Sequence, residues 1–313
     1  MSEGGGFKAI IAAMSANAGI AVAKFVAFLA TGSASMLAES IHSLADTSNQ
    51  ALMLLGRKRA RMVADDQHQF GYGRERYFWA FIVAMVLFTL GGLYSVYEAI
   101  SKIRQPHEVT SIGWAIGVLV VAMSLEGYSL HTAYGEASKV RDDRNWWRFI
   151  RSSRSPELPV VLMEDTGALV GLLFALAGVG LSALTGNVIW DAIGTLCIGL
   201  LLLIIAMILV VEMKSLLIGE SATDENVEAL KRAVTGTPGV NRIIDLRTQH
   251  IGPEELLVAA KLDFDHSFTT QQVARAVDEV EQAIRQAVPM ASLIYLEPDL
   301  WDPDHRTPPP STQ

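Results

Sequence analysis

The chain has 313 residues, half of them hydrophobic, with 33 acidic against 25 basic side chains and a formal charge of −8, and its mean hydropathy is positive. So much apolar surface cannot be hidden in one soluble core of this length, which marks a membrane protein. The negative balance, most of it after Val211, gives no support to nucleic-acid binding, and a lone Cys197 excludes a disulfide within the chain or a cysteine-based metal cage.

The apolar residues come in blocks at 7–30, 34–55, 77–100, 111–133, 158–185 and 188–211. Each is close to the ~20 residues that a helix needs to cross a bilayer, so six spans are expected. The first leads at once into another span and lacks a small-residue cleavage site, and it is therefore read as a true helix and not a signal peptide. Basic residues set the orientation. Arg57, Lys58, Arg59, Arg61, Arg74 and Arg76 crowd the second connection, and Lys139, Arg141, Arg144, Arg148, Arg151 and Arg154 crowd the fourth, whereas Gly32-Ser33 and Gly186-Asn187 carry none. The crowded connections, and with them both termini, are expected on the cytoplasmic side.

After Val211 the hydropathy falls. A short helix at 224–234, strands at 240–249 and 255–263, an amphipathic helix at 269–287 and a strand at 291–296 give the order αββαβ, a small ferredoxin-like α+β unit. Thr223 or Asp224 can cap the first helix, and Ile251-Gly252-Pro253 supplies turn residues. The expected division is a membrane domain at 1–213, a cytoplasmic domain at 214–300 and a flexible tail at 301–313, where Thr307-Pro308-Pro309-Pro310 cannot be helical. A core this small suits pairing with a second copy.

Two acidic clusters lie inside the spans. Glu39, His42 and Asp46 fall in the second, and Glu164 and Asp165 are adjacent in the fifth. Carboxylates in hydrocarbon are costly and mark ion paths. His42 and Asp46 are four residues apart and stack on one helical face, where imidazole nitrogen and carboxylate oxygen suit zinc and also accept cobalt, nickel, iron or manganese. Lys24, in the first span, requires a carboxylate partner, either Glu164 or Glu39. Glu39 is otherwise a gate carboxylate near the outer mouth. Glu126 and His131 in the fourth span satisfy each other or relay protons, and Asn17, Asn49 and Gln50 read as hydrogen-bonding contacts between helices.

Thr31-Gly32-Ser33 leading into Met36-Leu37-Ala38-Glu39-Ser40-Ile41-His42-Ser43-Leu44-Ala45-Asp46, then Asp65-Asp66-Gln67-His68-Gln69-Phe70-Gly71-Tyr72-Gly73-Arg74, then Glu164-Asp165 and the αββαβ tail, resemble the cation diffusion facilitators over nearly the whole chain. That resemblance implies a homodimer in the bilayer and export of a divalent metal, zinc foremost, in exchange for protons by alternating access, at a tetrahedral site between the second and fifth helices. It implies His42, Asp46 and Asp165 as ligands. The fourth position of the family's motif falls on Val161, which cannot bind metal, and Glu164 is the obvious replacement. Asp65 and His68 survive at an accessory position, but Tyr72 stands where a histidine is common. The tail, ending its last strand in Leu296-Glu297-Pro298-Asp299, is expected to dimerise without a high-affinity binuclear site. No resident cofactor and no enzymatic chemistry are implied, and a bacterial inner membrane is the expected location. Alternatives are an exporter of manganese, iron or cobalt, a non-transporting metal sensor, and a cation channel; a membrane hydrolase lacks an evident substrate cleft.

Overall fold

The computed structural model describes residues 3–105, 112–141 and 145–302. The proline-rich end of the chain, Arg144 and the start of the fourth expected span lie outside the described residues. Two compact units are present, one formed by Met1–Arg61 with Glu75–Lys214 and the other by Met62–Arg74 with Ser215–Gln313.

The first unit is all-helical: α1 (Glu3–Thr31), α2 (Ala34–Ala60), a continuous rod made of α3 (Glu75–Val86), a π-helical segment (Leu87–Leu93) and α4 (Tyr94–Arg104), then α5 (Ile112–Arg141), the short α6 (Trp146–Ser152), α7 (Glu157–Thr185) and α8 (Ile189–Ile218). Among the described residues six long rods are thus present where six spans are expected. Four of them, Glu75–Arg104, Gly113–Lys139, Glu157–Thr185 and Ile189–Ile218, are long and apolar enough to cross a membrane, and Asn17–Thr31 is a shorter apolar stretch. The rod α2 has the length, 27 residues, but ends in Arg57, Lys58 and Arg59 and carries a buried polar stripe. A helix that turns polar side chains inward loses mean hydropathy without losing the ability to sit among other helices.

Helix α2 packs against α1, α3 and α7, and α5 packs against α7 and α1. Small residues let the backbones approach closely. A Cβ on Gly194 would come within 2.8 Å of the Phe174 carbonyl oxygen and 3.2 Å of Gly178 Cα, which fixes the crossing of α7 and α8. Leu172, Val179, Ile198, Leu202 and Leu209 fill the interior around it.

The second unit has the expected order: α9 (Asp224–Thr235), β1 (Val240–Gly252), β2 (Glu255–Phe264), α10 (Thr270–Ala287) and β3 (Ala291–Pro298). The sheet runs β1-β2-β3, with β1 antiparallel and β3 parallel to β2. Thr223 caps α9 by accepting from Asn226 N–H, and Thr269 with Gln272 forms a complete capping box on α10. Leu230 and Val234 of α9, and Ala276, Val280 and Ile284 of α10, cover the buried face of β2 at Leu256, Val258, Ala260 and Leu262. The connection Met62–Arg74, contiguous in sequence with the helical unit, belongs to this unit. A Cβ on Gly73 would lie 2.7 Å from both the Ile251 carbonyl oxygen and a Glu255 carboxylate oxygen, so only glycine permits this contact with the β1–β2 hairpin.

Candidate metal centre

The site begins with how α2 is held. The turn before it, Gly32 at φ 64°, passes into the N-cap Ser33, whose hydroxyl oxygen accepts from Met36 N–H. That hydroxyl donates to Asp191 Oδ1 at 2.8 Å, and Ala34 N–H donates to Asp191 Oδ2 at 2.9 Å. A fully buried carboxylate on the first turn of α8 therefore caps a different helix, where it meets unsatisfied N–H groups and the positive end of the dipole. Lys102 Nζ donates to the Gly32 carbonyl at 3.2 Å and completes the anchor. Asp191 was not singled out in the sequence because, near the end of its span, it reads as a boundary residue.

Along α2, Glu39, His42, Asp46 and Asn49 follow at spacings of three, four and three, which places them in one stripe. All four are buried. His42 Nε2 lies 3.6 Å from Asp46 Oδ2, too long for a hydrogen bond. Among the described residues neither nitrogen of His42, nor Asp46 Oδ1, has a hydrogen-bond partner. Buried polar atoms left this way are rare and call for an explanation.

The neighbouring carboxylates are engaged by other helices. Lys24 of α1, fully buried, donates to Glu39 Oε2 at 3.0 Å and to Ser43 Oγ at 2.7 Å. This decides between the two candidate partners of Lys24: it is Glu39, and the pairing with Glu164 is not formed. Glu39 Oε1 faces α7 so closely that a Cβ on Gly171 would sit 2.8 Å from it. Glu164 instead accepts from Asn49 Nδ2 at 2.7 Å, while Asp165 turns toward α5 and accepts from Ser129 Oγ at 2.9 Å. Adjacent residues on a helix diverge by about 100°, so the pair serves two interfaces. Asp46, Glu126, Glu164 and Asp165 are all buried in this helical unit. Even so, among the described residues no three His, Cys, Asp or Glu side chains converge closely enough to hold an ion. The expected quartet of His42, Asp46, Asp165 and Glu164 is brought into one neighbourhood but not into one coordination shell. Val161, half-buried on α7, contributes no donor. Glu126 is buried, whereas His131 is exposed on the wall of an outer groove, so these two occupy different environments and do not satisfy each other.

The accessory residues have structural roles. Asp65 accepts from the Tyr72 hydroxyl at 2.6 Å and from His68 N–H at 2.7 Å and Gln67 N–H at 3.0 Å, contacts that hold its carboxyl below the usual range. His68 Nδ1 lies 3.4 Å from Asp65 Oδ1, and its ring stacks on Tyr72 at 4.5 Å between centroids. In the second unit, His250 pairs across the sheet with Leu256, and His266 bonds Asp263 at 3.0 Å. Seven residues of strand separate these ends, roughly 23 Å, so the two histidines cannot share an ion.

A stripe of ionisable side chains inside a helical bundle, joined to a small αββαβ unit, defines an ion-conducting or ion-transporting membrane protein. Comparison with known proteins makes this specific. Residues 10–218 match the family model described as the cation efflux transmembrane domain, and residues 222–299 match that of the cation efflux protein cytoplasmic domain. The chain belongs to the cation diffusion facilitator family, a family of multi-pass membrane transporters and not enzymes. It is 33% identical over 283 residues to the proton-coupled zinc antiporter SLC30A9, mitochondrial, of Xenopus laevis, covering 89% of this chain and 51% of that protein. It is 28% identical over 294 residues to the cation-efflux pump FieF of Salmonella newport, covering 92% of this chain and 90% of that protein. The chain spans about half the length of the zinc antiporters it matches.

Proposed function

We propose that this protein exports a divalent cation, zinc foremost, in exchange for protons, as a homodimer with both termini on the cytoplasmic side. The observation that carries the reading is the buried His42–Asp46 pair, in which, among the described residues, neither imidazole nitrogen nor Asp46 Oδ1 has a hydrogen-bond partner, on the face of α2 whose Asn49 meets Glu164 of α7. An imidazole nitrogen beside carboxylate oxygens is a borderline donor set that fits zinc and admits its first-row neighbours. The names of the relatives, a proton-coupled zinc antiporter among them, support zinc and antiport.

In this mechanism the cation enters at His42 and Asp46. Asp165 and Glu164 close the shell by exchanging their contacts with Ser129 and Asn49 for the ion. Ligands must be deprotonated to bind, so loading releases protons and protonation from the other side expels the ion. Glu39 is assigned to Lys24, and Asp65 and His68 to the loop, and none of the three is assigned to the metal. The test is flux into liposomes under a pH gradient with zinc, manganese, iron and cobalt in competition. Saturable, gradient-driven exchange with zinc preferred supports the reading, whereas unsaturable conductance or binding without flux would overturn it.

A further inference from the structure

Between His42 and the N-cap of α2 the helices close on an ion pair. Lys24 of α1 and Glu39 of α2 are both fully buried, with Nζ 3.0 Å from Oε2. The same ammonium donates to Ser43 Oγ at 2.7 Å, next to His42, so it spans a full turn of α2. The other oxygen of Glu39 faces α7. A Cβ on Gly171 would come 2.8 Å from Glu39 Oε1 and 3.9 Å from Ile198 Cγ1 of α8, so four helices meet at this level. Ser40 Oγ adds a second contact to α1 by donating to the Ala21 carbonyl at 3.2 Å. Beyond the pair, toward Ser33, the interior turns apolar, with Ala27, Met36, Leu172 and Ala175 buried, until Asp191 caps α2.

We propose that the Lys24–Glu39 pair is the closure on the outer side of the metal centre, a latch that must part before the cation can leave. This rests on the site and the orientation of the proposed function. With the termini on the cytoplasmic side, the N-cap of α2 faces outward and the pair stands between His42 and the outer mouth. Among the described residues, α1, α2 and α7 carry no other carboxylate on that stretch. While the ammonium holds Glu39 and the walls beyond are apolar, a dehydrated divalent ion finds no ligand there, and the fixed positive charge opposes its passage. The contact joins α1 to α2 at the level where Glu39 meets α7, so it stabilises the outward-closed arrangement and biases the equilibrium toward it. Lys24 and Glu39 act as positioning residues: they touch no cargo and set which side the metal centre faces.

The test is thiol labelling of the full chain in spheroplasts, with Cys197→Ser as background and a membrane-impermeant maleimide added outside. The reporter is Ala27→Cys, buried on α1 one turn beyond Lys24 and on the same face. With the pair intact it should react slowly. With Lys24→Met and Glu39→Gln together it should react several-fold faster, because the outer side then opens at less cost. That neutral combination strands no charge, so a merely structural brace would leave its labelling at the wild-type rate. Gly171→Ala is a milder second variant: its Cβ crowds Glu39 Oε1 and should also speed labelling while the chain unfolds like the wild type. Wild-type labelling rates in both variants would overturn the proposal. Asn187→Cys, in the connection between α7 and α8, should label from outside in every background. Labelling there only after the membrane is opened would overturn the orientation instead, which keeps the two failures apart.

Discussion

Replacing Lys24 with Met should be among the most damaging single changes outside the proposed ligands. Lys24 is fully buried and its ammonium is held by Glu39 Oε2 at 3.0 Å and Ser43 Oγ at 2.7 Å. Removing it leaves the Glu39 carboxylate, whose Oε1 already lacks a partner among the described residues, as an uncompensated charge in the bundle. Breaking a buried pair from one side costs about 3–5 kcal/mol, and the lost Ser43 contact adds about 1 kcal/mol. Glu39→Gln strands the ammonium instead and should cost a similar amount. The double variant Lys24→Met, Glu39→Gln holds no stranded charge, and replacing a whole buried pair is often neutral or stabilising. Its stability should return to within about 1 kcal/mol of the wild type, a coupling of several kcal/mol between the two positions. Equilibrium unfolding in mixed micelles, followed by tryptophan fluorescence, measures all four corners of the cycle. Additive losses, or recovery by Lys24→Met with Glu164→Gln in place of Glu39→Gln, would refute the reasoning.

His42→Ala, Asp46→Ala and Asp165→Ala should each abolish metal flux in liposomes while leaving the fold intact, since the remaining ligands cannot hold a dehydrated ion; near-normal flux in any two would contradict the site. Asp191→Ala should destabilise the helical unit by about 1–3 kcal/mol, because Ser33 Oγ and Ala34 N–H both lose their acceptor in a buried place, and Asp191→Asn should recover part of this in the same unfolding assay. Gly73→Val should free the loop 62–74 from the β1–β2 hairpin, read as faster proteolysis within that loop with α9, α10 and the sheet unaffected. The Asp65 carboxyl is held below its unfolded value by Tyr72 and the backbone, so the order it gives the loop should be present above about pH 4 and lost as pH falls through the depressed value. Hydrogen exchange of loop amides between pH 7 and 3 reports this, and Asp65→Asn should lose the dependence.

Local pattern carried much of this protein's architecture. Pattern between Thr223 and Pro298 was enough to write αββαβ, because β2 buries alternate residues and each helix buries one stripe, and Thr223 marks where the first helix begins. The four-residue step from His42 to Asp46 likewise placed both on one face of α2 without any knowledge of its neighbours. Which groups meet across helices was not legible, because pairing depends on how rods are rotated and packed, and sequence separation says nothing of that. Lys24 reaches Glu39, 15 residues away, and not Glu164. Glu164 meets Asn49 at a separation of 115, and Asp191 caps α2 at 158. Periodicity is a property of one element, so the chain by itself determined the elements and their buried faces. The partners of each buried charge were decided only by the tertiary packing, through the requirement that a polar atom removed from water find another polar atom within reach.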